Sequence, residues 1–190
     1  MFKQFFSALE ILEETKSSQR VFDYVEGLDE FDRDSTFKMV AKYFARAGRT
    51  DEALRFGAAI RGPKRRIHGS VEVARELKRK GYTDLAKKLL QGALEEANQL
   101  QLKDRDATFL FFSLSIGFHD ADEPGEALAL LRRSIELAKA ISGGIRHGKF
   151  LWGCASLLAR WNYPEEAKAV AEGIENESLR VHAIREVTKS

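Results

Sequence analysis

Four copies of one spacing recur along this chain. A small residue stands at each of four anchor positions, and an alanine follows twelve positions later. The pairs are Ala41 and Ala53, Ala74 and Ala86, Ser115 and Ala127, and Ala155 and Ala167. Apolar or thiol side chains stand one position before and three positions after every anchor, which is the pattern of one face of an α-helix. The spacing predicts two helices in each copy that approach closely through their small residues.

Two further positions predict where these helices end and begin. Seven positions after the anchors come residues that tolerate a left-handed backbone, as the end of a helix requires: Gly48, Gly81, Asp122 and Asn162. Nine positions after the anchors come Thr50, Thr83, Pro124 and Pro164. Threonine is a helix N-cap and proline is favoured at the first helical position. Each unit is therefore a first helix (helix A), a tight turn and a second helix (helix B).

The anchors are 33, 41 and 40 residues apart, so the units differ in length. The extra length follows the matched segment, and we expect helix B to be extended by about two turns in the two middle units. Residues 1–30 predict a degenerate first pair, because Phe5, Phe6, Leu9 and Leu12 form a helical stripe and Ser17 offers a cap. A further helix follows Ile174, either as a polar cap or as the start of a longer array.

These units resemble tetratricopeptide repeats, which place a small residue, a turn glycine and a second small residue at the same spacings. The resemblance covers residues 31–176, although the family's period is near 34 residues and its closing proline is missing here. It implies an all-α fold, a right-handed α-solenoid of about five antiparallel helix pairs plus a C-terminal helix. The implied single domain, residues 1–190, has units at 1–30, 31–61, 64–101, 104–142 and 145–176 and a terminal helix at 177–189.

The composition narrows the class of protein. Apolar residues make up 44% of the chain and charged residues 32%, which suits a folded protein. The net charge of +2 is too small for nucleic-acid binding through bulk charge. The stretch from Ala107 to Phe118 is too short to cross a bilayer, and residues 1–6 do not form a signal peptide. We therefore expect a cytoplasmic protein with no membrane partner; the few Asn and Gln residues lean towards thermophile composition.

No residue pattern indicates catalysis, a metal or a cofactor. The four histidines, His68, His119, His147 and His182, have no zinc-binding spacing. Gly143 and Gly144 lack the strand and helix context of a phosphate loop. Cys154 is the single cysteine and falls at a core position, which favours a buried, inert thiol. We expect a protein that is not an enzyme.

A binding surface follows from the resemblance, because tetratricopeptide stacks build their concave wall from helix A. The implied partner-binding residues are Lys38, Lys42, Arg46, His68, Arg75, Lys78, Arg79, Phe109, Phe112, His119, Lys149, Trp152 and Arg160, with Ile116 beside them. No acidic residue belongs to this set, so the surface favours an acidic or amphipathic partner. The alternative is that the cations are solvated and the aromatic residues pack against neighbouring helices. The carboxylate clamp of chaperone-binding members does not line up, because Glu72, Phe109 and Ser113 occupy its positions.

A second basic group, Arg61, Lys64, Arg65 and Arg66, lies in a turn between units. Arginine also recurs at the starts of helix A, which favours a repeated structural role, such as pairing with acids of a neighbouring unit, over nucleic-acid contact; these arginines are Arg33, Arg66, Arg105, Arg146 and Arg180. The sequence thus predicts a protein-interaction scaffold for an acidic or amphipathic peptide. Two alternatives stay open: a helical repeat that binds nucleic acid, and a regulator that self-associates. The oligomeric state does not follow from the sequence.

Overall fold

The computed structural model describes residues 2–141 and 144–188, without the side chain of Asp104. Eleven helices lie within them: α1 (Phe2–Thr15), α2 (Ser18–Glu26), α3 (Glu30–Arg46), α4 (Thr50–Ala58), α5 (Pro63–Arg79), α6 (Thr83–Gln99), α7 (Asp104–Asp120), α8 (Pro124–Lys139), α9 (Ile145–Arg160), α10 (Pro164–Glu172) and α11 (Glu177–Val187). The same residues contain no β-strand, which confirms the all-α class. Gly143 of the predicted connection and Lys189 of the predicted terminal helix lie outside the described residues.

The predicted ends of helix A are confirmed. Gly48 and Gly81 have φ of 75° and 88°, and Asp122 and Asn162 have φ of 61° and 68°. These are the four residues seven positions after the anchors. A left-handed residue there lets the chain reverse after the last helical turn, and Gly, Asn and Asp adopt this backbone at the lowest steric cost.

The predicted starts of helix B are also confirmed, because α4, α6, α8 and α10 begin at Thr50, Thr83, Pro124 and Pro164. The role given to the two threonines is wrong. Thr50 and Thr83 are the first helical residues of α4 and α6, and the cap positions before them belong to Arg49 and Tyr82, whose side chains make no capping hydrogen bond. The first turn of α4 is supported instead by Asp51 and Glu52, whose charge favours the positive end of the helix dipole.

Helix B has two lengths, as the spacing predicts. The helices α4 and α10 have 9 residues each, whereas α6 has 17 and α8 has 16. At 3.6 residues per turn the difference is about two turns. Buried residues along the extension of α6, such as Leu94 and Ala97, show that the added turns are packed against the protein.

The small residues of the repeated spacing are buried. All four anchors and the four alanines twelve positions after them are buried. Ser115, the one polar anchor, donates its hydroxyl hydrogen to the carbonyl oxygen of Phe112 at 2.7 Å, so its burial leaves no unsatisfied donor. Close contact between paired helices follows from these side chains, because a larger residue would separate the helix axes.

The chain forms two compact units. Unit 1 contains Met1–Leu100 and Ile116–Ala127, and unit 2 contains Gln101–Ser115 and Leu128–Ser190. In unit 1, α1 pairs with α2, α3 with α4 and α5 with α6. In unit 2, α9 packs against both α10 and α11, and Ser134 of α8 donates to the carbonyl of Thr108 in α7 at 2.7 Å. A single continuous stack over residues 1–190 stays a prediction.

An aromatic cluster forms much of the core of unit 1. The rings of Phe22, Phe37, Phe44 and Phe56 lie with neighbouring centroids 5.1–5.9 Å apart. The predicted stripe of α1 is only partly buried: Leu12 lies in the core, but Phe6 is exposed.

A buried carboxylate fixes the start of α5. Asp34 of α3 accepts the backbone N–H groups of Gly62 at 2.8 Å and Arg61 at 3.2 Å, and the guanidinium of Arg33 donates to it at 3.2 Å. Burial acts to raise the pKa of Asp34, but the hydrogen bonds from Gly62, Arg61 and Arg33 outweigh it, so this pKa lies below its ordinary value. The ionised carboxylate therefore connects α3 to the turn before α5.

The arginines at helix A starts have partners other than those predicted. Arg33 bonds to Asp34 of its own helix, and Arg66 pairs with Glu96 of α6, which is helix B of the same repeat. The predicted pairing with acids of a neighbouring repeat is therefore wrong for both arginines. Arg66 and Arg180 share another role, because each donates to the carbonyl oxygen of the isoleucine six positions earlier. These bonds satisfy carbonyl groups that follow α4 and α10.

Candidate partner-binding surface

The predicted partner-binding residues fall in both units. Unit 1 holds Lys38, Lys42, Arg46, His68, Arg75, Lys78, Arg79 and His119, and unit 2 holds Phe109, Phe112, Lys149, Trp152 and Arg160. The two sets have different surroundings, and each is described within its own unit.

In unit 1, cations of α3 are paired with carboxylates of α5. Glu72 accepts from Lys38 at 3.1 Å and from Lys42 at 2.9 Å. Glu76 lies 2.9 Å from Arg46, and Arg79 of its own helix lies 3.2 Å from it. Glu76 is buried, so these two ion pairs compensate a carboxylate that would otherwise be costly to bury.

The same arrangement continues from α5 to residues that end α7. Arg75 pairs with Asp120, and Lys78 pairs with Asp122, the left-handed residue after α7. The acids that the predicted set lacks are thus supplied by the following helix A. Most of the predicted basic groove in unit 1 is an alternation of positive and negative side chains.

Electrostatics within unit 1 reflect this pairing. Burial acts to raise the pKa of Glu72, but hydrogen bonds and charge from Lys42 and Lys38 outweigh it and hold this pKa below its ordinary value. The pKa of Asp122 is lowered by its hydrogen bond to Lys78. Burial, with the nearby charge of Lys38, lowers the pKa of His68. His68 is therefore held in its neutral form near pH 7.

An aromatic cleft adjoins the paired cations of α3. We call it the unit 1 cleft; its volume is about 430 Å³, and it is lined by Phe2, Phe5, Ser35, Lys38, Met39, Lys42, Tyr43, Arg46 and Glu72. Sequence reasoning missed Phe2, Phe5, Met39 and Tyr43 as surface residues. Phe2 and Tyr43 are exposed, although helical periodicity alone would assign aromatic residues to the core.

In unit 2, two predicted aromatic residues meet a third that the pattern did not identify. The ring of Phe150 in α9 lies 5.1 Å from those of both Phe109 and Phe112 in α7. Phe109 and Phe150 belong to the lining of the unit 2 cleft, which has a volume of about 410 Å³ and is lined by Arg105, Thr108, Phe109, Ala138, Ile141, Gly144, Ile145, Arg146, His147 and Phe150. Phe150 was missed because it lies between the predicted positions Lys149 and Trp152 on the same helix.

Trp152 has a protein partner of its own. Its indole N–H donates to Glu186 of α11 at 2.7 Å, and Ser156 donates to the other oxygen of that carboxylate at 2.9 Å. The ring of His182 lies 6.3 Å from that of Trp152. The polar edge of Trp152 is therefore used within unit 2.

The remaining cations of unit 2 differ from those of unit 1. Across the eleven helices of the described chain, α9 is the one that contains no Asp or Glu. Its cations Arg146, Lys149 and Arg160 have no ion-pair partner among residues 2–141 and 144–188, and neither has Arg105 of α7. The predicted partner-binding surface therefore lacks acidic side chains on α9 but not along its whole length.

The basic turn of unit 1 is tied into the structure. Arg61 pairs with Glu26, Arg66 pairs with Glu96, and Arg65 lies over the ring of Phe31 at 4.9 Å and 3.8 Å from Asp34. These contacts support the structural interpretation of the cluster.

Within the described part of the chain, no group of three or more His, Cys, Asp or Glu residues could hold a metal ion. Cys154 is buried in α9, as expected, and burial raises the pKa of its thiol. A thiol in this setting is protonated at neutral pH and is a poor nucleophile.

No family model matches the chain, and no curated protein matches it. A solved structure does: the crystal structure of Ton1535 from Thermococcus onnurineus NA1, with a TM-score of 0.63 at 13% sequence identity. The match covers 97% of this chain, whereas the chain spans 57% of that protein's length. At this identity the likeness shows the fold alone. No helix among the described residues is long and apolar enough to cross a membrane.

Proposed function

We propose that this protein is an interaction module that binds an acidic, amphipathic segment of another protein along the helix A surface. One observation carries the proposal. In unit 1, four cations on this surface, Lys38, Lys42, Arg46 and Arg79, face two carboxylates, Glu72 and Glu76, beside a cleft with aromatic walls. The cations outnumber the carboxylates and lie next to apolar surface. Such a surface suits a ligand that has both carboxylates and apolar side chains.

The proposal assigns no catalytic step to the chain. It includes the finer architecture that the spacing suggests: a tetratricopeptide-like, right-handed α-solenoid of antiparallel helix pairs. The left-handed residues after α3, α5, α7 and α9 and the buried small-residue pairs support this relationship. Small-angle scattering from the intact chain tests it, because a continuous stack is elongated compared with a globule of equal mass.

The binding proposal is tested with synthetic probes on the full chain. We would titrate the protein into a fluorescein-labelled amphipathic peptide that has Phe and Leu on one helical face and Glu on the other, and measure anisotropy. A matched peptide with Gln in place of Glu tests the need for charge, and a labelled single-stranded RNA tests the nucleic-acid alternative. The peptide and RNA titrations would be run at about 50 and about 200 mM salt, since phosphate binding weakens steeply over this range.

We expect saturable binding of the Glu peptide, at least about tenfold weaker binding of the Gln peptide, and no saturable RNA binding at the higher salt. Equal affinity for the two peptides, or no binding of either, would contradict the proposal. Salt-sensitive RNA binding that exceeds peptide binding would favour the nucleic-acid alternative. Sedimentation of the free chain over the same concentrations tests self-association.

A further inference from the structure

Contacts between successive A helices follow a repeated polar pattern. In three of them, donors on the earlier helix meet carboxylates on the later one: Lys42 of α3 and Glu72 of α5, Arg75 of α5 and Asp120 of α7, and Trp152 of α9 and Glu186 of α11. The carboxylate is supplied within the chain each time. The donors on these helices are therefore largely satisfied before any partner arrives.

The contact between the first part of α7 and α9, inside unit 2, departs from this pattern. Here the ring of Phe150 of α9 packs edge-on against Phe109 and at a tilt against Phe112, both of α7. Helix α9 has no carboxylate to supply. Arg105 of α7 and Arg146 of α9 both line the unit 2 cleft, and neither has an ion-pair partner among the residues that the structure describes.

Apolar surface is exposed in the same cleft. Phe109 keeps 46% of its accessible surface and Ile145 keeps 62%, although both are large apolar residues. With Phe150 they line a space of about 410 Å³, within the range of sites that bury a ligand group. Exposed apolar side chains beside guanidinium groups that have no ion-pair partner are typical of a surface that binds another protein.

We propose that the unit 2 cleft is the anchor point for the acidic, amphipathic segment. An apolar side chain of the segment enters between Phe109 and Ile145, and its flanking carboxylates accept hydrogen bonds from Arg105 and Arg146. The partner thus supplies the carboxylates that the chain itself supplies in the three contacts named above. Guanidinium groups favour this role because their paired N–H donors match a carboxylate. This assignment rests on the proposed function and adds the position and chemistry of the anchor.

The test compares two charge reversals within unit 2. In Arg146→Glu a cation that lines the cleft is reversed, whereas in Lys168→Glu an exposed cation of α10, outside the helix A surface, is reversed. Each is titrated against the labelled Glu peptide, together with Phe109→Ala for the apolar wall. We expect at least about tenfold weaker binding for Arg146→Glu and for Phe109→Ala, and a change below about threefold for Lys168→Glu.

Far-ultraviolet circular dichroism and urea unfolding would show that each variant is folded, and Arg146→Gln provides a milder change if Arg146→Glu is unstable. If Arg146→Glu and Lys168→Glu weaken binding equally, the effect is one of overall charge, and the anchor assignment is overturned. Unchanged affinity in Phe109→Ala would also overturn it. Neither result affects the proposed function, because the wild-type protein would still bind the Glu peptide and discriminate against the Gln peptide.

Two competition experiments show whether the cleft binds the carboxylates of a peptide or a small-molecule carboxylate. Unlabelled Glu peptide should displace the labelled probe completely, whereas a small aryl carboxylate such as phenylacetate should displace it weakly. If the small carboxylate displaces the probe as effectively as the peptide does, the cleft is a small-molecule site and the peptide anchor is wrong. Displacement by single-stranded RNA in preference to the peptide would overturn it as well.

Discussion

Helices α5 and α9 are both first helices of a pair and both are basic, but their charges are used differently. Helix α5 has six cations and two carboxylates, and Arg65, Arg66, Arg75, Lys78 and Arg79 each have a named acidic partner. Helix α9 has three cations and no carboxylate. A count of cations alone would have placed the strongest contact with an acidic ligand on α5 rather than on α9.

The difference shows that net charge on a helix does not identify a binding surface. Cations that meet carboxylates of the same chain fix the packing of neighbouring helices, and their charge is largely neutralised at short range. Cations without such partners keep their charge for an external ligand. Changes to either helix test this contrast, and the largest effects are expected where a buried contact is lost.

The first prediction concerns how the two helices begin. Both helices have a glycine as the cap residue, which offers no capping side chain, but the turn before α5 is bonded to Asp34 of α3. Asp34→Ala should lower the free energy of unfolding by about 3–5 kcal/mol, because buried donors lose their acceptor. Urea unfolding measures this. Asp51→Ala, an exposed acid in the first turn of α4, is the control and should cost less than about 1 kcal/mol; similar losses for both would refute the role of Asp34.

The second prediction compares a glycine in each helix. A Cβ on Gly69 of α5 would lie 2.8 Å from Cδ1 of buried Ile60, whereas a Cβ on Gly153 of α9 would meet nothing within 4 Å. Gly69→Ala should cost about 1–3 kcal/mol through overpacking. Gly153→Ala should gain up to about 1 kcal/mol, since alanine is the better helix former. Thermal and urea unfolding check both; a gain at Gly69 would show that Ile60 has room to move.

The third prediction makes α5 resemble α9. Glu72→Gln removes the carboxylate that neutralises Lys38 and Lys42. The labelled Glu peptide should then bind about two- to fivefold more tightly, while stability falls by less than about 1 kcal/mol because the pairs are partly exposed. Glu13→Gln, the same charge change at an exposed site of α1, should change affinity less. Weaker binding in Glu72→Gln would show that this carboxylate helps to hold the ligand.

The smallest effect concerns pH. Burial and the charge of Lys38 lower the pKa of His68, so the unfolded chain, whose histidine has a pKa near 6.5, takes up this proton first as the pH falls. Stability should therefore decline as the pH falls from about 6.5 towards the lowered pKa of His68. Urea unfolding at several pH values would show a steeper decline over this range in the wild type than in His68→Gln. Parallel curves would assign the decline to other groups.

The elements of the fold were predictable because local rules control them. The four left-handed residues, the starts of four B helices and the two helix lengths all follow from spacing within a unit, where the chain itself fixes the distances. The exceptions lie at the starts of two B helices, where neighbouring residues compete for the cap position. Thr50 begins α4 instead of capping it, since the carbonyl of Arg49 already accepts the hydrogen bond from Ala53.

The candidate site was less predictable, because its contacts join residues far apart in the sequence. Lys42 and Glu72, or Arg75 and Asp120, meet only through the angle and offset at which two helices pack. That geometry is not encoded in the period of one helix. The absence of acids from α9 was visible in the sequence and would have marked this helix, had charge been compared helix by helix.

The unpartnered charge of α9 has a kinetic consequence. A basic helix that is not neutralised at short range attracts an acidic ligand over about a Debye length, and so raises the rate of encounter. We therefore expect added salt to slow association with the Glu peptide far more than it speeds dissociation. Residence time should depend instead on the apolar walls of the unit 2 cleft, so that α9 controls how often a partner arrives and Phe109 controls how long it stays.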